Sequence, residues 1–134
     1  MDIGAYRDPH RHRRCQQYRQ AYSGKLGYET PAAVGEAGAA DTYHDAMRSA
    51  FAAIGQLPEP GSHYLMPFGA RARFLFKMDF AEAEYIAKLR SGVKGHWSYR
   101  TIAWLMKEKI TERYPVLGAR MQAIPPDVQD ALTR

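Results

Sequence analysis

The stretch Arg71–Arg90, RARFLFKMDFAEAEYIAKLR, decides the fold because it predicts a β-strand followed directly by an α-helix. In its first half, apolar and basic side chains largely alternate, which is the period of two that a half-buried strand requires. One face of the predicted strand is therefore apolar and the other basic. The apolar set is Ala72, Phe74, Phe76 and Met78, and the alternate set is Arg71, Arg73, Leu75 and Lys77.

The second half of the stretch predicts a helix over residues 80–91. Asp79 can cap its first turn, and Glu82 follows three residues on, which is close to a capping box. Small side chains on one face would let another backbone approach and leave the guanidinium of Arg90 at the end of the helix, pointing into a neighbouring gap. That face consists of Ala83, Ala87 and Arg90.

Helical spacing continues on both sides of this stretch. A helix that begins near Asp41 would bury the stripe Tyr43, Met47, Phe51 and Ile54. A longer helix over residues 96–113 would turn inward Ile102, Leu105, Met106 and Ile110. Both stripes are typical of core packing. Residues 64–67 are compatible with a further short strand that bends at Pro67.

The N-terminal segment is strongly basic. The formal net charge of the 134 residues is +5, and residues 1–25 hold five arginines and Lys25 against two aspartates. Asp8 and Pro9 are typical of a helix start, so we expect a surface helix here. Its stripe would be Arg11, Cys15, Tyr18 and Tyr22. Such a segment either favours an anionic partner, such as phosphate, a nucleotide or nucleic acid, or is a solvated charged face.

Composition limits the remaining classes. Cys15 is the only cysteine, which excludes an internal disulfide and a cysteine-rich zinc site, so we expect a cytoplasmic setting. No run of residues approaches the 18 apolar positions of a membrane-spanning helix. We expect one domain over residues 1–134, with 116–134 as a tail. We expect no metal site, because two histidines two positions apart on a helix diverge by about 200°.

Common catalytic motifs are not legible in the chain. Cys15 has no recognisable histidine partner, the serines lack a nucleophile elbow, and the glycine-rich residues 23–40 match no phosphate-binding loop. What remains is the arginine cluster together with Arg90. Guanidinium groups offer a planar fork of donors to phosphate oxygens and to the carbonyl edge of a base. These residues suit an anionic, planar, phosphorylated ligand and require no protein nucleophile.

Four short motifs, taken in order and at their spacing, resemble the C-terminal half of the flavin-dependent thymidylate synthases of the ThyX type. They are Arg11-His12-Arg13, Leu65-Met66-Pro67, Leu89-Arg90 and His96-Trp97-Ser98-Tyr99-Arg100. The resemblance covers most of residues 5–115. It implies an α+β fold, mostly helical in this fragment, in which a small antiparallel sheet is flanked by helices. It also implies a homo-oligomer, a tetramer in this family, with FAD at the subunit junctions.

The same resemblance implies an activity and a set of site residues. Enzymes of this type methylate dUMP to dTMP, with methylenetetrahydrofolate as the carbon donor and NADPH as the reductant of FAD. By this likeness Arg11, His12 and Arg13 contact the flavin, Arg11 and Arg90 contact dUMP, and Arg90 is the catalytic residue. Arg90 would hydrogen-bond the pyrimidine edge and stabilise charge that develops at a ring nitrogen. Its replacement by alanine is expected to weaken nucleotide binding and to leave the fold intact.

This chain departs from the family pattern at several positions of the expected flavin and phosphate site. The departures are Arg19, Ala21, His63, Asp79, Tyr85 and His96. A catalytically degenerate or incomplete family member therefore stays open beside a competent one. Two other classes also remain: a basic nucleic-acid-binding module, in which Tyr18 and Tyr22 stack on bases between arginines, and a non-catalytic scaffold subunit that completes an oligomer.

Overall fold

The computed structural model describes residues 3–130 as a mostly helical α+β chain with one small sheet. The helices within these residues are α1 (Ile3–Tyr6), α2 (Ala32–Glu36), α3 (Ala40–Ile54), α4 (Gly61–Tyr64), α5 (Phe80–Arg90), α6 (Trp97–Arg113) and α7 (Pro115–Gly118). The strands β1 (Gln16–Arg19) and β2 (Phe74–Lys77) pair as a two-stranded antiparallel sheet. The predicted fold class is confirmed. None of these helices is both long and apolar enough to cross a membrane.

The strand and the helix predicted from Arg71–Arg90 both form, although the strand is limited to the second half of the predicted range, Phe74–Lys77. In β2 the side chains alternate between half-buried and exposed, with Phe74 and Phe76 on the inner face, as predicted. The carboxylate of Asp79 accepts a hydrogen bond from the backbone N–H of Glu82 at 2.8 Å, which caps α5. Ala83 and Ala87 are buried on the inner face of α5. Local sequence chemistry thus places Arg90 in the last turn of this helix.

Helix α6 has the predicted length, but one of its inward residues was assigned wrongly. Ile102, Met106 and Ile110 are half-buried, whereas Leu105 is 42% exposed. The most buried apolar position of the helix is Ala103, and two positions along a helix correspond to a rotation of about 200°. Leu105 therefore points away from the buried face.

The basic N-terminal segment does not form the predicted helix. Residues Pro9–Arg11 make a single 3₁₀ turn, and the chain then enters β1. The segment has no aliphatic stripe that a helix could bury, so local propensity alone would have to hold it together. Side-chain hydrogen bonds stabilise the segment instead. Gln17 Nε2 donates to the carbonyl of His12 at 2.8 Å, and the Cys15 thiol donates to the same carbonyl at 3.0 Å.

The chain folds into two compact units. The first comprises residues 5–18 and 75–130, and the second comprises residues 3–4 and 19–74. The chain leaves the first unit inside β1 and returns to it inside β2. The prediction of a single domain over residues 1–134 stays a prediction.

The second unit is organised around α3. Its predicted stripe is confirmed, since Met47 is buried and Tyr43, Phe51 and Ile54 are half-buried. Tyr28 packs its ring against Tyr43 and Phe51 and meets His44 Nδ1 at 2.6 Å through its hydroxyl. Residues 64–67 do not form a strand, because Gly61–Tyr64 turn into the short helix α4.

In the first unit α5 packs on α6, and α6 packs on α7. Most of the predicted tail is docked on these helices: Met121 is buried, and the buried Arg100 donates from Nη2 to the carbonyls of Pro125 and Val128 at 3.2 and 2.7 Å. The Ser91 hydroxyl accepts from the backbone N–H of Ile124 at 2.8 Å. Residues 131–134 of the tail lie outside the described residues.

Candidate functional site

Arg90 joins the end of α5 to the arginine-rich N-terminal segment. Its Nε donates to His12 Nε2 at 2.9 Å, its Nη1 donates to the carboxylate of Asp8 at 3.0 Å, and its Nη2 donates to the backbone carbonyl of Asp8 at 3.0 Å. The exposed fractions of the Arg90 and Asp8 side chains are 15% and 22%. The guanidinium is thus held in one orientation by groups about eighty residues away in sequence.

His12 is buried between Arg90 and Glu82. Because an arginine Nε–H can only donate, His12 Nε2 must accept, which leaves the ring proton on Nδ1. Nδ1 lies 3.3 Å from the carboxylate of Glu82, an acceptor for that proton. Burial, and next the charge of Arg90, lower the pKa of His12 below its ordinary value, although Glu82 and Asp8 oppose the shift. His12 is therefore a neutral member of this network.

The local fold of residues 8–17 turns His12 inward. Asp8 and Pro9 open the 3₁₀ turn, and the backbone N–H of His12 closes it by donating to the carbonyl of Pro9 at 3.0 Å. The carbonyl of His12 then accepts from Cys15 and Gln17. The arginines on either side of His12 remain exposed, so the turn separates a buried imidazole from exposed guanidinium groups.

These groups line one cavity of about 440 Å³ in the first unit. Its walls are Arg11, His12, Arg13, Arg14, Glu82, Tyr85, Leu89 and Arg90. The three exposed arginines form no ion pair with any carboxylate among residues 3–130. Glu82 in the lining and Asp8 bound to Arg90 offset two of the four guanidinium charges, and the imidazole is neutral, so the cavity is electropositive. We call it the arginine cavity.

The structure brings together all four residues that the sequence analysis selected. Arg11, His12, Arg13 and Arg90 line the same cavity, although they come from distant stretches of the chain. Their roles toward flavin and nucleotide stay predictions. The expectation that Arg90 can be replaced without effect on the fold does not agree with this geometry, because Arg90 makes three internal hydrogen bonds.

Sequence reasoning missed the two acidic partners in the network. Asp8 was assigned as a helix cap and Glu82 as part of a capping box, yet Asp8 binds Arg90 and the side chain of Glu82 faces His12. One signal could have indicated Asp8, since it is the only acidic residue within the run Arg7–Arg14. A lone acid in a basic run indicates an ion pair, although this signal does not identify Arg90 as the partner.

Two departures from the family pattern have a structural role here. Asp79 caps α5, and His96 caps α6 by accepting from the backbone N–H of Ser98 at 3.4 Å. A third, Tyr85, is 54% exposed, lines the arginine cavity, and sets its ring edge-on to His12 at 5.7 Å between centroids. An aromatic face beside guanidinium groups suits a planar ligand.

The side chains that line the arginine cavity are suited to binding a ligand and stabilising negative charge. Its lining contains no serine, threonine, cysteine or lysine that could act as a nucleophile. Cys15 is buried, with its thiol used by the His12 carbonyl. Within residues 3–130 no group of three or more His, Cys, Asp or Glu side chains is arranged to hold a metal ion. What the cavity can do is bind an anion, orient a flat ligand and stabilise negative charge.

The candidate site is thus a guanidinium-lined cavity in an α+β chain. A family model described as "thymidylate synthase complementing protein" matches residues 1–116, and the chain belongs to this family. The resemblance to the ThyX-type enzymes is confirmed at the level of the family.

The chain is also similar to several UPF0159 proteins. It is 34% identical over 118 residues to one from Chlamydia muridarum (strain MoPn / Nigg), a match that covers 85% of this chain and 22% of the relative. A UPF0159 protein of Chlamydia pneumoniae is 32% identical over 119 residues, 86% of this chain and 22% of the relative. A UPF0159 protein from Thermoplasma acidophilum is 29% identical over 122 residues, a match that covers 87% of this chain and 24% of the relative. The chain thus spans less than a quarter of the length of these relatives.

Proposed function

We propose that the chain supplies the arginine cavity of a ThyX-type thymidylate synthase and that this cavity binds dUMP and the phosphates of FAD. The observation that carries the proposal is that Arg90 and the segment Arg11–Arg14 line one cavity, as the family resemblance requires. In this reading the full reaction is the FAD-dependent methylation of dUMP with methylenetetrahydrofolate and NADPH. Membership of the thymidylate synthase complementing family supports the general activity.

The residues of the cavity fit part of FAD. Phosphates need guanidinium or backbone N–H donors, and Arg11, Arg13 and Arg14 are free of ion pairs with described carboxylates. A flat ring needs an apolar or aromatic flank, which Tyr85 and Leu89 can provide. A volume of about 440 Å³ lies in the lower part of the range of small-ligand pockets, about 300–1,000 Å³. It suits a mononucleotide or one half of FAD, and the other half would extend beyond the cavity.

Bound and reduced, FAD supplies the hydride of the family reaction. The chain's own residues have simpler tasks. Arg11 and Arg13 bind phosphate oxygens and fix the position of the nucleotide. Arg90 uses three of its five N–H groups on Asp8 and His12, which leaves two for a carbonyl or ring nitrogen of a pyrimidine. A cation held in advance at that edge favours negative charge on the ring and loses little energy to reorganisation.

Ligand binding is the property to test, because the chain spans less than a quarter of its relatives and the expected flavin and phosphate site is altered. Purified protein should acquire a blue-light absorption band when FAD is added and excess FAD is removed, and calorimetry should show binding of dUMP. Arg11→Ala and Arg13→Ala should each weaken binding about tenfold, the ratio that one charge-assisted phosphate contact provides. Arg113→Ala is the matched control, since it removes an exposed arginine on α6 outside the cavity.

Binding of neither FAD nor dUMP, with the fold intact by circular dichroism, would refute the proposal. The nucleic-acid alternative predicts a different result: tight binding of single-stranded oligonucleotides that weakens steeply with salt, without a flavin band. The predicted helix that would place Tyr18 and Tyr22 beside the arginines does not form, which removes one support of this alternative.

We also propose that the chain functions as a homo-oligomer in the cytoplasm. The support is the apolar surface at the rim of the arginine cavity, where Tyr85 is 54% and Leu89 is 49% exposed. A second subunit that covers this rim would enclose the ligand. Sedimentation equilibrium should give a mass above the 15.2 kDa of one chain. An oligomer that binds neither FAD nor dUMP would instead favour the scaffold-subunit alternative.

A further inference from the structure

Glu82 is a buried acid whose side chain is not explained by helix capping. It is 7% exposed, and its contribution to the cap of α5 is made by its backbone N–H. Glutamate is rarely buried to this extent unless it is paired. Its one described partner is the imidazole of His12, at 3.3 Å between Oε1 and Nδ1. Neither the family model nor the motif resemblance assigns this residue a role.

The bonds around His12 have a fixed direction. Arg90 Nε donates to His12 Nε2, so the ring can carry its proton only on Nδ1, and Nδ1 faces the carboxylate of Glu82. The opposite tautomer would set an N–H of His12 against the N–H of Arg90. A carboxylate at this position accepts from Nδ1–H and so stabilises the same tautomer that lets His12 hold Arg90.

We propose that Glu82 is a positioning residue of the arginine cavity: through His12 it holds the guanidinium of Arg90 in the orientation that meets the ligand. The inference rests on the proposed function, because it assigns dUMP as the ligand that Arg90 meets. Glu82 lines the cavity wall but acts through His12. Tyr85, one turn from Glu82 on α5, places its ring edge-on to the His12 imidazole.

Two variants separate this role from simple packing. Glu82→Leu has a similar size and no acceptor, so His12 should shift its proton to Nε2, release Arg90 and bind dUMP about tenfold more weakly. Glu82→Gln keeps an oxygen that can accept from Nδ1–H, so the tautomer and the affinity should stay within about threefold of wild type. Glu84→Gln is the matched control, because it removes the same charge from the same helix and does not line the cavity.

Nitrogen NMR of the protein labelled with ¹⁵N-histidine reads the tautomer directly, since protonated and bare ring nitrogens have separate resonances. The His12 signals are identified by their loss in His12→Gln. Calorimetry with dUMP gives the affinity of each variant, and circular dichroism confirms its fold. If Glu82 had only a structural role, Glu82→Leu would lower stability but leave the His12 tautomer of the folded protein unchanged.

The expected result is Nδ1–H in the wild type, Glu82→Gln and Glu84→Gln, and Nε2–H with weaker dUMP binding in Glu82→Leu. The proposal is overturned if Glu82→Leu keeps either the wild-type tautomer or the wild-type affinity. It is overturned without any variant if wild-type His12 carries its proton on Nε2, so it can be refuted even if Glu82→Leu does not fold. Failure of wild type to bind dUMP overturns this inference together with the dUMP part of the proposed function, and it is recognised because it occurs with Glu82 in place.

Discussion

Replacement of Arg90 by alanine should destabilise the first unit, and the size of the effect follows from its three hydrogen bonds. Two of them go to neutral acceptors, the carbonyl of Asp8 and Nε2 of His12, and one goes to the carboxylate of Asp8. With about 1 kcal/mol for each neutral acceptor and about 1.5 kcal/mol for the carboxylate, reduced for partial exposure, the free energy of unfolding should fall by about 3 kcal/mol.

Urea denaturation followed by circular dichroism measures this loss. With a denaturant slope near 2 kcal/mol/M, which is ordinary for a small protein, the midpoint should move down by about 1.5 M. The urea midpoint of Arg90→Lys should lie between those of wild type and Arg90→Ala, because a lysine keeps the charge but cannot reach all three acceptors with one ammonium group. Arg113→Ala, on the exposed side of α6, should change the free energy by less than about 0.5 kcal/mol.

A double-mutant cycle between Arg90→Ala and Asp8→Ala tests the cause. If the two residues interact as described, the double variant should be more stable than the sum of the single losses predicts, by about 1 kcal/mol or more. An Arg90→Ala protein with the same midpoint as Arg113→Ala, or strictly additive losses in the cycle, would refute the reasoning. Arg90 would then be free to serve a ligand alone.

Three further changes have defined outcomes. Because the pKa of His12 is lowered in the folded protein, the unfolded chain binds a proton at this residue below pH 6.5 that the folded chain does not bind. The free energy of unfolding should therefore fall on acidification below pH 6.5. The urea midpoint of His12→Gln should fall less steeply over the same range. Asp79→Ala removes the cap of α5 and should lower the free energy of unfolding by about 1 kcal/mol, measured in the same way. Gly118→Ala places a methyl group into the backbone and side chain of Thr111, on α6, and should lower the thermal midpoint, whereas Gly35→Ala, in open space, should not.

The helices that could be predicted are those with strong local signals. Helix α5 has a capping aspartate and a stripe of small residues, and α3 and α6 have apolar stripes at helical spacing, so their bounds follow from the chain within one or two residues. The N-terminal segment was predicted wrongly because Asp8 and Pro9 carry a genuine start signal but no stripe follows to sustain a helix. Its actual shape depends on side-chain bonds of Gln17 and Cys15 to one carbonyl.

The candidate site could be predicted in its cations and not in its anions. Arg90 and the Arg-His-Arg motif were selected from their residue types and from the family resemblance, and they do meet. Asp8 and Glu82 could not be paired with their partners, because the bond from Asp8 to Arg90 spans 82 positions and no local pattern encodes a contact of that range. Both acids also had an adequate local explanation as capping residues, which concealed their second role.

The discontinuity of the first unit has a consequence during protein synthesis. The segment 5–18 leaves the ribosome long before residues 75–90. Its arginines are therefore exposed to cellular polyanions before Glu82 and the end of α5 have been synthesised. The entropic cost of bringing the two parts of the unit together depends only weakly on the length of the intervening segment, by about 0.6 kcal/mol for each doubling. The arginine cavity therefore forms only when both parts of the first unit that line it, residues 5–18 and 75–90, have been translated.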